Sequence, residues 1–147
     1  MPDAATEIAV SRTFPAPREM VFQAWSDPEQ IPAWWGPTHF TVPRESVSVE
    51  LEPGGRYHLT MVDPAGNEYP VRQEIIEVDA PSLLVFVHEP VPEHGLTEAV
   101  HTRVEFHDDG GNTRVDITSG PYNAEMGPNA SQGWEQQFDK LERLLAA

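Results

Sequence analysis

The groups through which this chain could do chemistry are six histidines, nine basic residues and 24 carboxylates, with no cysteine at all. The missing cysteines exclude a disulfide scaffold, a thiolate metal site and a thiol nucleophile. His101 and His107 lie six residues apart on one alternating segment, too far to share an ion from that segment alone. His88 is their conceivable cross-strand partner, but the alternation reads as a solvent-facing polar row, so no metal is expected. His39 follows a tryptophan pair and is placed to reach a pocket mouth as acid, base or ligand donor, with an ordinary surface histidine as the plainer reading. Glu50 and Glu52 share one face and belong to an acidic surface rather than to a glycosidase pair. There is no G-x-S-x-G elbow, and Ser119-Gly120-Pro121 reads as a strand end. Gly54-Gly55 and Gly110-Gly111 lack the strand–loop–helix context of phosphate-binding loops. No catalytic residue and no cofactor is therefore expected.

What remains is binding. Trp34-Trp35-Gly36-Pro37 places two adjacent indoles at the end of a short helix. Neighbouring helical residues point about 100° apart, so both rings cannot easily enter one core face. One is expected to pack as core, the other to border an opening. The expected cavity walls are Trp25, Trp34, Trp35 and Phe40 from the first third of the chain. Tyr57, Leu59, Met61, Phe86 and Val104 add walls from the strands. Tyr122, Met126, Trp134 and Phe138 complete them, with Met126 and Gly127-Pro128 as an adaptable lid. Arg12, His39, His58 and Tyr122 are the candidate polar groups.

The elements that must position these residues follow from periodicity. Ile8, Val10 and Phe14 alternate with polar positions as a first strand, with Arg12 on its apolar side. Val21, Ala24 and Trp25 keep helical spacing after Pro17. Asp27, Pro28 and Gln30 read as the cap, first position and reciprocal partner of a second helix, in which Pro32 sits awkwardly. Strands are expected over Val47–Leu51, Tyr57–Met61 and Tyr69–Val78, the last with a bulge near Ile75-Ile76. Leu83–Val87 is apolar on both faces and reads as a doubly covered strand. His88 to Ala99 reads as a loop. Val100–Phe106 and Val115–Ile117 alternate again. Ala130, Trp134, Phe138, Leu141 and Leu145 form one helical stripe, about 16 residues long, with Gly133 inside it. This order predicts an α+β chain: an antiparallel sheet of six to seven strands with a long C-terminal helix lying across it, and two short helices after the first strand.

A length of 147 residues predicts one domain. The formal net charge of -15, with Lys140 the only lysine, repels nucleic acid and anionic membranes. It also fits high-salt adaptation or a basic partner. No apolar run reaches the roughly 18 residues of a membrane span, and Met1–Glu7 lacks a signal peptide's basic and apolar regions. The expected location is the cytoplasm, as a monomer or weak homodimer.

Several motifs resemble the family of homologues of the heat-shock-chaperone ATPase activator, within the START-like (SRPBCC, birch-allergen-like) superfamily. They are Arg12-Thr13-Phe14-Pro15-Ala16-Pro17, Val21-Phe22-Gln23-Ala24-Trp25-Ser26-Asp27-Pro28, the tryptophan pair with its Gly-Pro, Gly54-Gly55-Arg56-Tyr57, Asp109-Gly110-Gly111-Asn112-Thr113-Arg114, and Gly133-Trp134 with Leu141. Pro32 and the loop from Glu89 to Gly95 depart from the pattern. The resemblance implies a helix-grip fold with an apolar cavity between sheet and helix. It implies no single activity, since related domains bind lipids, sterols or polyketide-like aromatics, a few are cyclases or hydrolases, and some stimulate a chaperone ATPase. The leading expectation is a non-enzymatic binder of a small hydrophobic or aromatic molecule. The alternatives are a chaperone-interacting, stress-response module and a cyclase or hydrolase.

Overall fold

The computed structural model describes residues 6–90, 99–122 and 126–146. Strand β1 (Thr6–Phe14) leads into helix α1 (Arg18–Ser26) and the one-turn helix α2 (Ile31–Trp34). A 3-10 turn (Arg44–Ser46) precedes β2 (Ser48–Val49). Then come β3 (Arg56–Val62), β4 (Glu68–Asp79), β5 (Leu83–His88), β6 (Val100–Asp109) and β7 (Asn112–Tyr122). Helix α3 (Met126–Ala146) closes the chain. The seven strands form one sheet in the order β1-β7-β6-β5-β4-β3-β2, every neighbour antiparallel. This is the α+β arrangement read from the periodicity, and the helix-grip fold that the resemblance implies.

Alternation sets the inner face. Tyr57 and Leu59, Ile75, Leu84 and Phe86, Val104 and Phe106, and Val115 and Ile117 are all buried. Against them α3 lays Trp134, Phe138, Leu141 and Leu145 at helical spacing. Phe14 of β1 meets Phe138 edge to face at 5.3 Å, which is the favourable aromatic geometry.

Four local expectations change. Helix α2 starts at Ile31, so Asp27 caps the preceding turn: its Oδ1 accepts from the Glu29 N–H at 2.9 Å and its Oδ2 from Gln30 Nε2 at 3.2 Å. Pro32 then sits in the first helical turn, where a missing N–H costs nothing. The strand expected over Val47–Leu51 is only Ser48–Val49, and Leu51 is exposed. β5 is not doubly covered: Leu83, Val85 and Val87 are half-buried, because α3 covers only the inner face. Their outer-face neighbours in register are long polar side chains, Arg103 beside Val85 and Glu74 beside Val87. α3 begins at Met126 and spans 21 residues, so Gly127-Pro128 belongs to its first turn rather than to a lid loop. Ser119-Gly120-Pro121 is a strand end as read, lying in the last four residues of β7, which closes at Tyr122. The expected bulge in β4 is present as a register shift between Ile75 and Glu77 that leaves Ile76 exposed. Most of the expected loop, residues 91–98, lies outside the described residues.

Gly55 shows how tightly the chain folds back before β3. A Cβ there would lie 2.1 Å from the Glu50 carbonyl oxygen, so only glycine fits.

Tyr57 joins the sheet to α1: its hydroxyl donates to the Trp25 carbonyl, and its ring stacks on Phe86 at 5.3 Å. Burial raises the phenol well above its ordinary value of 10.0. A group whose folded pKa is raised contributes stability that is complete below its unfolded pKa and is lost as pH rises through the folded one. The urea midpoint is therefore expected to fall as pH rises above 10.0, more steeply than in Tyr57→Phe. Equal slopes in the two proteins would reject this.

Candidate functional site

The tryptophan pair divides its labour as the helical geometry requires. Trp34 is fully buried, and its Nε1 donates to the Ala24 carbonyl at 2.9 Å. Trp35, the C-cap of α2, turns away from the helix into extended backbone. Gly36 follows at φ +93°, in the left-handed region that favours glycine. That reversal sends Pro37 and the loop to Phe40 across the middle of α3. Three hydrogen bonds fasten the loop there. The Thr38 N–H donates to Gln136 Oε1 at 3.0 Å, and Lys140 Nζ donates to the Trp35 and Phe40 carbonyls at 3.3 Å each. Burial, then repulsion by Arg143, lowers the Lys140 pKa.

Between this loop, α3 and the ends of β3, β4, β5 and β7 lies an open cleft of about 320 Å³. Trp35, Pro37, Met61, Val71 and Tyr122 form its walls, and Asn129, Ala130, Gly133, Trp134 and Gln137 of α3 form its floor, with His88 also lining it. No Lys, Arg, Asp or Glu lines it among the described residues. Gly133 does not admit a close neighbour: a Cβ there would meet nothing within 4 Å. A glycine in a helix interior is about 1 kcal/mol worse than alanine, and here no protein packing offsets that cost. Its effect is to deepen the floor.

Of the residues expected to form walls, the structure brings Trp35, Met61, Tyr122 and Trp134 to this cleft. Trp25, Trp34, Tyr57, Leu59, Phe86, Val104 and Phe138 pack as core instead. Their space is filled by one another: Trp25 contacts Trp34 at 4.6 Å and stacks on Trp134 at 5.7 Å. Sheet and helix therefore meet through side chains along most of their length, and the opening is confined to one end. Phe40 packs on Tyr69 at 5.7 Å, beside the cleft but not lining it. The side chain of Met126 lies outside the described residues.

The expected polar groups do not converge. Arg12 reaches from β1 to α3, where it bonds Asp139 at 2.7 Å and Glu135 at 2.9 Å, with Glu142 at 3.4 Å and the Phe138 ring centroid at 5.6 Å. It straps strand to helix, a contribution of about 1 kcal/mol for a partly exposed pair. His58 sits on the outer face, with its pKa lowered by partial burial and then by Arg56 and Arg72. His39 is exposed. Only Tyr122 reaches the cleft, its hydroxyl 3.0 Å from Ser119 Oγ, which is itself 2.8 Å from Thr102 Oγ1. Burial raises its pKa despite the Ser119 hydrogen bond.

Sequence reasoning missed Gln137, His88, Pro37, Val71 and Asn129. The signal for Gln137 was available: it falls four residues after Gly133 and three after Trp134, on the same face of α3. His88 required the sheet register. The histidines of β6 do not gather around one point either. His107 Nε2 lies 3.1 Å from Asp116 and 3.6 Å from Glu105, while Arg114 and Arg103 bind those same carboxylates at 3.3 and 3.0 Å. Arg114 with Asp116 and Arg103 with Glu105 form ion pairs on the outer face beside His107, and His101 stands apart there.

A seven-stranded antiparallel sheet gripping one long C-terminal helix, with an apolar cleft at the helix's N-terminal half, defines a START-like protein. The family model described as Activator of Hsp90 ATPase homolog 1-like protein matches residues 15–146, and the chain belongs to that family. Solved structures agree in fold. A protein from Chromobacterium violaceum superposes with a TM-score of 0.85 at 21% identity, over 96% of this chain and 97% of that one. A protein from Nitrosomonas europaea gives 0.82 at 22%, over 98% and 96%. The AHSA1 protein from Silicibacter pomeroyi gives 0.82 at 22%, over 96% and 98%. No curated protein matches the chain in sequence. No helix among the described residues is long and apolar enough to cross a membrane.

Proposed function

We propose that this chain binds a small, uncharged hydrophobic or aromatic molecule in the cleft between the Trp35–Phe40 loop and α3, without transforming it. The observation that carries the reading is an apolar cleft whose floor is hollowed by a helical glycine with no packing reason to be there. Its volume of about 320 Å³ falls at the lower end of the roughly 300–1,000 Å³ range of small-molecule sites. That size suits two or three fused rings or a short acyl chain better than a sterol. Bound ligand stabilises the folded state by mass action, about 2.7 kcal/mol at a hundredfold excess over Kd. A panel of naphthalenes, flavones and medium-chain fatty acids should therefore include members that raise the melting temperature, and Trp35→Ala should diminish the rise. A flat response across the panel would reject the reading.

The family description favours a second reading, a chaperone-associated role served by the acidic surface. It predicts salt-sensitive binding to an Hsp90-type chaperone and a faster ATPase, and loss of both would remove it.

A further inference from the structure

A second cleft opens where α1, the β4–β5 turn and the end of β6 meet, and it shares no lining residue with the apolar one. Its volume is about 410 Å³, and most of its lining is charged. Arg103 and Glu105 bind each other there at 3.0 Å, and His107 lies 3.1 Å from Asp116. Three charges of the cleft have no ion pair among the described residues: Arg18, Asp79 and Asp108. Arg18 is the notable one. Carboxylates outnumber basic side chains 24 to nine in this chain, and Arg12, the other half-buried arginine, holds three of them. Arg18 is half-buried and holds none.

These charges stand on separate, braced elements. Arg18 opens α1 one turn before Phe22, so it shares the face on which Phe22 meets Phe106 of β6 at 5.2 Å. Asp79 ends β4 in register with Leu83, and Asp108 pairs with Thr113 near the end of β6. The Phe106 N–H donates to the Ser82 carbonyl at 2.8 Å, which ties the β4–β5 turn to β6. Opposite charges that share a cleft without meeting suit a molecule that carries both signs. The guanidinium offers a planar fork to a carboxylate, and the two aspartates accept from an ammonium group.

We infer that this cleft binds a small zwitterion bearing one carboxylate and one ammonium group, with Arg18 on the carboxylate and Asp79 and Asp108 on the ammonium. A simple anion is opposed by the two unpaired aspartates and by the net charge of -15, and a simple cation is opposed by Arg18. The inference stands apart from the reading of the apolar cleft.

Isothermal titration calorimetry tests it with two spacings of the same charges. L-leucine is compared with L-leucinamide and 4-methylpentanoate, and 5-aminopentanoate with pentylamine and pentanoate. At least one zwitterion is expected to bind on the order of tenfold more tightly than either of its singly charged analogues. Arg18→Gln should bring that zwitterion down to the affinity of its amine and leave the amine no weaker. Asp79→Asn combined with Asp108→Asn should bring it down to the affinity of its acid. None of the three side chains is buried, so both variants should keep the wild-type melting temperature. No heat from either zwitterion, equal binding of zwitterions and their analogues, or a preference that survives both variants would overturn the inference.

Discussion

Trp25→Ala is expected to lower the unfolding free energy by about 3–5 kcal/mol, the cost of truncating a large aromatic side chain in a packed core. Trp25 is 0% exposed and touches all three other indoles, at 4.6 Å for Trp34, 6.0 Å for Trp35 and 5.7 Å for Trp134. It also meets Phe106 at 5.9 Å. Removing the ring leaves a void between α1, α2, α3 and the sheet that rigid neighbours cannot refill. At roughly 2–4 °C per kcal/mol for a domain near this size, the melting temperature should drop by about 10 °C. Urea denaturation reads the effect directly. A change in midpoint equivalent to less than about 1 kcal/mol would mean that the cluster collapses around the loss.

Gly133→Leu is expected to move stability and binding in opposite directions. Leucine is nearly as good a helix former as alanine, so replacing the interior glycine should add about 1 kcal/mol of stability. No atom stands within 4 Å of the new Cβ, so the side chain can leave the helix without a clash at its first carbon. The same side chain would occupy the cleft floor between Ala130 and Gln137, and should abolish the ligand-induced rise in melting temperature. Ordinary helix glycines give the first effect alone. Undiminished ligand response in a stabilised Gly133→Leu protein would move the site elsewhere.

Much of this arrangement was legible in the chain because alternation and helical spacing report faces directly. The strand pattern of Tyr57, Leu59 and Phe86 and the stripe Trp134, Phe138, Leu141 foretold which sides meet. Periodicity says that a face is apolar, but not whether a neighbour fills it. Trp25, Tyr57 and Phe138 therefore read as walls of a cavity although they occupy one another's space. Arg12 was legible in part, as an arginine whose stem packs on the inner face while its head reaches out. Its place on the inner face of β1 was readable, but Glu135, Asp139 and Glu142 lie more than a hundred residues away and capture it at the sheet edge. Gln137 was passed over because glutamine in a helix ordinarily faces water, although its spacing from Gly133 and Trp134 put it on their face of α3.

The crowding of the indoles has a spectroscopic consequence. The chain contains four tryptophans, and each lies within 6.0 Å of at least one other. Optically they are one chromophore rather than four. Excitation absorbed at Trp25 or Trp34 in the core is shared with Trp35 and Trp134 at the cleft. The protein's whole intrinsic emission and its near-ultraviolet circular dichroism thus serve as a built-in gauge of whatever occupies the space beside those two rings.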